Sequence, residues 1–164
     1  MTDIDIGSLQ QWVGRQESKE DDISLFPAQA LAAALDNEHI PQKGDELPAF
    51  WEWIYFLATP RADATGSDGH PDKGGFLPPV PLPRRMWASS KVQFHETLKV
   101  GLSVEKVSTI ADVVFKQSTA SGPLVFVHVD HEYSQESKTC IEDRQIVVYR
   151  QPSAFKQTEP EELQ

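Results

Sequence analysis

A proline-rich segment near the middle of the chain, residues 71–83, is the feature that most constrains the fold. Five of the twelve prolines fall within it. Proline donates no backbone hydrogen bond and disfavours helical geometry in the residue before it, so neither a regular helix nor a central strand can run through such a segment. We therefore predict a long, stiff loop here.

The sequence before this loop has helical character. Residues 26–35 are rich in alanine, Ser24 is placed to cap a helix, and Pro27 suits a first helical turn. A second apolar run at residues 48–57 has too few polar interruptions for a solvated face. We predict a short helix at residues 26–35 and a buried or lid-like helical segment at residues 48–57.

After the loop the period of the sequence changes from helical to alternating, so that every second residue lies on the same face, which is typical of strands. Three further runs, at residues 102–116, 124–133 and 141–150, are long enough for strands and are separated by turn sequences. One helix followed by long antiparallel strands predicts an α+β fold, with a sheet around the helix. Joining two such units would protect the sheet edges, so we expect a dimer or pseudo-dimer. The residues predicted to share one face of the first strand are Met86, Ala88, Ser90, Val92 and Phe94.

The length of 164 residues fits one domain, which we place at residues 1–151, with a loose, polar tail at residues 152–164. The net charge of −10 argues against nucleic acid as a partner. No apolar run approaches the roughly 20 residues that span a bilayer, and residues 1–25 lack the features of a signal peptide. These observations predict a cytoplasmic protein that does not bind membranes.

Positive charge is concentrated in residues 61–100, which hold six basic and four acidic side chains. Arg84 and Arg85 lie there, and guanidinium groups pair well with phosphates and carboxylates. Lys73 is a weaker candidate for the same role. Neighbours on a strand point to opposite faces, so no more than one of the two arginines is expected to reach a ligand. A salt bridge to the acidic first third of the chain is the alternative.

Other reactive residues give weaker signals. His95, His128 and His131 lack the spacing of a metal site, and parity places the last two on opposite faces of a strand. Cys140 has no basic partner nearby in sequence, which favours an inert thiol. No glycine-rich phosphate loop, serine elbow or dinucleotide fingerprint is present. We therefore expect no metal or redox cofactor.

The chain from about Trp51 to Arg150 resembles the amino-terminal hotdog domain of MaoC-like acyl-thioester hydratases, most closely the mesaconyl-C4-CoA (3-methylfumaryl-CoA) hydratase group. The resemblance implies a hotdog fold and an enzyme that adds water to an acyl thioester of coenzyme A or acyl carrier protein, held between two hotdog units. It is carried by residues 53–57, 69–71, 74–88, 94–95, 121–127 and 148–150.

The resemblance also suggests where catalytic residues lie. In MaoC-like hydratases an Asp, an Asn-Pro step and a His follow the central helix, and the matching place here holds Asp36 and His39 without Asn-Pro. Asp68 and His70, in a glycine-flanked loop, form a second candidate pair. Both pairs have plainer interpretations, as a helix end and as turn formers. We predict that the chain works as a homodimer or with a catalytic hotdog partner.

Aromatic residues near the predicted tunnel are the remaining candidates for substrate contact. Trp51, Tyr55 and Trp87 are placed to line an acyl tunnel, although clustered aromatics more often belong to a core. Two alternatives to a hydratase stay open, namely a non-catalytic hotdog that binds acyl thioesters or stabilises a partner, and a thioesterase.

Overall fold

The computed structural model describes residues 4–66, 69–119 and 122–152. The helices are α1 (Ile6–Gln10) and α2 (Leu25–Ala34), and short 3₁₀ turns lie at Trp51–Ile54 and Ala62–Ala64. The strands are β1 (Gln16–Asp22), β2 (Arg84–Phe94), β3 (Ser103–Ser118), β4 (Gly122–Gln135) and β5 (Lys138–Arg150). None of the described helices is both long enough and apolar enough to cross a membrane.

The five strands form one antiparallel sheet in the order β1-β3-β4-β5-β2. The predicted helix and the four strands after the loop are confirmed, as is the loop itself, since residues 71–83 hold no helix and only the isolated bridge between Thr65 and Pro71. The predicted tail lies outside the described residues from position 153 onward. In the strand order given above, β1 and β2 are the two edges of the sheet.

The predicted helical segment at residues 48–57 is reduced to the single 3₁₀ turn Trp51–Ile54. Phe50 and Phe56 flank this turn with φ values of 68° and 55°. An α-helix requires negative φ at every residue, so these two left-handed residues limit the helical stretch on both sides. The prediction of a longer helical segment was wrong.

A β-bulge in β2 changes which of its residues share a face. Trp87 pairs with Val147 and Ser89 pairs with Ile146, so Ala88 is the extra residue. An extra residue shifts the alternation by one position. The predicted face was therefore wrong at Met86 and Ala88. Paired residues share a side of the sheet, which places Arg85 and Trp87, rather than Met86 and Ala88, with Ser90 and Val92.

The core consists of two clusters on one face of the sheet, which we call the inner face. Helix α2 contributes Ala28 to the second cluster, while α1 and the loop before β2 cover the first. The first cluster contains Leu9, Val80, Leu82, Ile110, Val113, Val125, Val127, Val129, Val147 and Tyr149. The second contains Ile23, Ala28, Leu47, Tyr55, Leu98, Val100, Val104, Tyr133, Cys140 and Ile141.

Gly101 makes the turn into β3 and leads to a testable prediction. Its φ is +89°, its N–H donates to the Ile23 carbonyl at 2.7 Å, and a Cβ there would lie 2.6 Å from Cγ of Lys43. We expect Gly101→Ala to lower the free energy of unfolding by about 1–2 kcal/mol, because a side chain strains a left-handed residue. Urea denaturation measures the change. Gly75→Ala is the matched control, since Gly75 has no positive φ and no atom within 4 Å of a built Cβ. Equal stability losses in the two variants would contradict the prediction.

Candidate functional site

Polar side chains interrupt the inner face between the two apolar clusters. Register places Ser108 opposite His131, and His131 opposite Asp143, so these three residues lie on one side of the sheet. Lys106 and Gln145 lie one step away on the same side. We call this set the polar band, and its members are Lys106, Ser108, His131, Asp143 and Gln145.

A cavity of about 170 Å³ opens onto the polar band. We call it the inner cavity. Four members of the band line it, namely Lys106, Ser108, His131 and Gln145. Its other lining residues combine an acidic and a basic side chain with apolar ones, and they are Glu17, Lys19, Phe56, Phe76, Leu77 and Val129.

His131 is held in this band by two polar neighbours. Its Nδ1 lies 2.8 Å from the Ser108 hydroxyl oxygen, and its Nε2 lies 3.4 Å from Oε1 of Gln145. Burial, with a smaller contribution from the Lys106 charge, lowers the pKa of His131 to about 4. The imidazole is therefore neutral near pH 7. A proton on Nε2 satisfies both contacts, since Nε2 then donates to Gln145 and Nδ1 accepts from Ser108.

Lys106 contributes the positive charge of the polar band. Its Nζ lies 5.0 Å from the ring centroid of Tyr133 and 5.8 Å from that of Phe56, which are cation–π distances. Within the described part of the chain, no carboxylate oxygen lies within 4 Å of Nζ. Burial is the main cause that lowers the pKa of this ammonium, followed by the charge of Lys19.

Two buried carboxyl groups lie near Lys106. Glu52 is 2% exposed and Asp143 is 4% exposed, and burial is the largest cause that raises the pKa of each. In residues 4–66, 69–119 and 122–152, Oε1 of Glu52 and Oδ1 of Asp143 have no hydrogen-bond partner. Glu52 also lines a second, mainly apolar cavity of about 210 Å³ with Leu47, Phe94 and Ile141. Raised pKa values favour the protonated acids, which can donate a hydrogen bond.

The predicted acid/base residues lie away from the inner cavity. Asp36 is exposed just after α2, where it adopts a φ of 50°. The Nε2 atom of His39 lies 2.9 Å from Oδ2 of Asp45, in an exposed loop. His70 is exposed, and Asp68 lies outside the described residues. The structure thus pairs His39 with Asp45, and none of Asp36, His39 and His70 lines the inner cavity. Their catalytic roles stay predictions.

Three basic residues were predicted to bind substrate, and two of them, Arg84 and Arg85, lie on opposite faces of the sheet, as alternation along a strand requires. Arg85 pairs with Tyr149 on the inner face, and its Nη2 donates to the Pro71 carbonyl at 2.9 Å. Arg84 is exposed on the opposite face. Nζ of Lys73 donates to the carbonyls of Val80 and Leu82 and lies 5.7 Å from the Tyr149 ring centroid. The two carbonyl contacts lie within the proline-rich loop, and the contact with Tyr149 attaches this loop to the sheet. Binding of substrate by the three residues stays a prediction.

The aromatic candidates occupy different environments. Tyr55 is buried in the second cluster and donates its hydroxyl to the Ser24 carbonyl at 2.7 Å, and Trp51 packs partly buried beside it. Trp87 is 58% exposed, and its ring centroid lies 5.6 Å from that of Trp53. Exposed edge-to-face contacts continue from Trp53 to Phe50 and from Phe50 to Phe94. Contact with substrate stays a prediction for Trp51, Tyr55 and Trp87.

Sequence reasoning missed the polar band as a site. It did separate His128 from His131 correctly, since His128 pairs with Ile146 on the outer face. The available signal was polar residues two apart within predicted strands, such as Lys106 with Ser108. Among residues 4–66, 69–119 and 122–152, no group of three or more His, Cys, Asp or Glu side chains could hold a metal ion. Cys140 is buried, which raises the pKa of its thiol.

Comparison with known proteins adds to this description. The family model described as hydroxyacyl-thioester dehydratase type 2 matches residues 50–164. Mesaconyl-C(4)-CoA hydratase of Chloroflexus aurantiacus is 43% identical over 144 residues, which are 87% of this chain and 51% of that relative. The chain therefore spans about half the length of this curated relative.

Two solved structures from Mycobacterium tuberculosis share the fold. The first is the ChsH1–ChsH2 complex, of which a chain aligns with a TM-score of 0.64 and 13% identity over 96% of both chains. The second is the C-terminally truncated HadBC (3R-hydroxyacyl-ACP dehydratase) complex, with a TM-score of 0.53 and 8% identity over 83% of this chain and 96% of that one. These likenesses confirm the predicted hotdog fold.

Proposed function

Because the chain belongs to the family of type 2 hydroxyacyl-thioester dehydratases, we propose that it forms one hotdog unit of an acyl-thioester hydratase. The enzyme adds water reversibly across the double bond of an α,β-unsaturated acyl thioester. The identity of 43% to mesaconyl-C(4)-CoA hydratase is the observation that carries the proposal. It also supports mesaconyl-CoA as the first substrate to test, carried by coenzyme A or by acyl carrier protein.

The inner cavity agrees with this function. Hydration requires a group that activates water, a group that handles the α proton, and donors for the enolate oxygen. A cavity with both apolar walls and the polar groups of Ser108, His131 and Gln145 suits the acyl part of such a substrate. Water addition needs no external oxidant or reductant, so the proposal includes no redox cofactor, and it assigns no role to a metal. We propose a cytoplasmic location for the enzyme.

A second hotdog unit is part of the proposal. His39 contacts Asp45 in an exposed loop. The predicted acid/base pair, Asp36 and His39, is therefore not assembled at the inner cavity. The relative is about twice as long as the matched segment, and the two structural neighbours belong to complexes. We propose that another chain, or a second copy of this one, completes the active site.

A chimera tests this function. Residues 1–150 are fused to the half of the Chloroflexus hydratase that this chain does not match, and loss of mesaconyl-CoA absorbance is followed with free thiol monitored in parallel. We expect hydration by the chimera, and none by either half alone. Thiol release without hydration would contradict the proposal in favour of a thioesterase. A folded chimera that neither binds nor hydrates the thioester would also contradict it.

A non-catalytic hotdog that binds acyl thioesters or stabilises a partner is the second candidate. The bond between His39 and Asp45 favours it, because this bond engages the predicted catalytic histidine away from the cavity. Calorimetry combined with the hydration assay of the chimera separates the two candidates. A binding unit would take up mesaconyl-CoA both alone and in the chimera, with no hydration in either case.

A further inference from the structure

The inner cavity contains one cation that has no local counterion. Glu17 and Lys19 pair across 3.1 Å, so their charges offset each other at the cavity wall. Lys106 lies against the rings of Tyr133 and Phe56 instead, and within the described residues no carboxylate oxygen lies within 4 Å of its Nζ. A partly buried ammonium in this position has lost part of its hydration without gaining an ion pair.

The other ionisable groups around Lys106 do not replace that counterion. His131 is neutral near pH 7, since its pKa is about 4. Glu52 and Asp143 interact with Lys106 at longer range, and neither of them lines the inner cavity. An anion entering the cavity would therefore meet Lys106 as its main electrostatic partner.

The walls of the cavity define the kind of anion that fits. The hydroxyl of Ser108 and the amide of Gln145 can contact a carboxylate, while Phe56, Phe76 and Leu77 provide apolar surface for a short carbon chain. Arg84 lies on the outer face, and Arg85 donates to the Pro71 carbonyl. Lys106 is thus the basic residue that the fold brings to the cavity without a matching acid.

We propose that Lys106 binds the carboxylate at the far end of the acyl group and thereby selects the dicarboxylic thioester named above over thioesters that lack this carboxylate. This inference rests on the proposed function, because it assigns the acyl end of the substrate to the inner cavity. Lys106 is then a specificity-determining residue, because it favours binding of thioesters of dicarboxylic acids over thioesters of monocarboxylic acids.

The test compares two thioesters that differ at one group. Mesaconyl-C4-CoA carries a carboxylate where 3-methylcrotonyl-CoA carries a methyl group, and calorimetry measures the Kd of each for the purified chain. We expect wild type to prefer mesaconyl-CoA, and Lys106→Met to weaken this binding by about tenfold to hundredfold. Binding of 3-methylcrotonyl-CoA should change less than about twofold, because apolar contacts do not depend on the charge.

Two further variants complete the design. Lys106→Arg keeps the charge and should retain the preference for mesaconyl-CoA. Lys91→Met removes an exposed lysine of β2 that pairs with Arg144 on the outer face, and it should bind as wild type does. Circular dichroism checks that each variant is folded. A preference that survives in folded Lys106→Met, or equal binding of the two thioesters by wild type, would overturn the inference and leave the hydratase function standing.

Free mesaconate separates the failure of this inference from failure of the proposed function. NMR of the Lys106 ammonium reports whether the dicarboxylate binds near Nζ. If mesaconate shifts this signal while neither thioester binds to the chain or to the chimera, the carboxylate site stands and the thioester function fails. If neither mesaconate nor the thioesters bind to the chain or to the chimera, both proposals are overturned.

Discussion

Replacing Tyr149 with alanine is expected to lower the free energy of unfolding by about 3–5 kcal/mol, the usual cost of removing a large buried aromatic ring. Tyr149 is fully buried in the first apolar cluster, between its cross-strand neighbours Val125 and Arg85. Its ring also faces Nζ of Lys73 at 5.7 Å, which links β5 to the proline-rich loop. Alanine would leave a cavity and remove this link. Urea denaturation with linear extrapolation measures the loss.

Tyr149→Phe is the matched control for this prediction. Phenylalanine keeps the ring, its packing and the contact with Lys73, so the expected loss is at most about 1.5 kcal/mol, the range for one net hydrogen bond. If the alanine variant loses no more stability than the phenylalanine variant, the ring does not support the junction between loop and sheet. The assignment of Tyr149 to the centre of the core would then be incorrect.

The sequence predicted those parts of the fold that depend on local pattern. Alternation and turn residues are local, and they located the last four strands, while alanine content located α2. Strand β1 was missed because its seven residues, Gln16–Asp22, are all polar. It forms because its backbone pairs with β3 from Ser103 to Thr109, and no local hydrophobic pattern reports such pairing. Similarly, the bulge at Ala88 depends on how β2 meets β5.

The candidate site was less predictable because it depends on register between strands. Lys106, His131 and Asp143 are far apart in the sequence, and only the pairing of β3, β4 and β5 brings them to one face. A shift of one residue in any strand would send its polar side chain to the other face. The predicted pair Asp36 and His39 was based on sequence proximity, and the fold gives His39 a different partner, Asp45.

As the pH decreases from about 6.5 to about 4, His131 is expected to lower the stability of the protein. The pKa of this imidazole is lowered from 6.5 in the unfolded chain to about 4 in the folded protein, mainly by burial. In this window the unfolded chain takes up a proton and the folded protein does not. Unfolding therefore becomes more favourable as the pH falls. The stability linked to His131 is fully present above the unfolded pKa and is lost as the pH falls through the folded pKa.

His131→Gln isolates this effect from the other titrating groups. Glu52 and Asp143 act in the opposite direction, since their raised pKa values favour the folded state at low pH, but both proteins contain them. Between pH 7 and pH 4 the wild type is expected to lose up to about 3 kcal/mol more than the variant, because folding lowers the pKa of His131 to about 4. Urea denaturation across this range measures both curves. Parallel curves would show that His131 takes up its proton equally in the folded and unfolded states, and the lowered pKa of this imidazole would then be excluded.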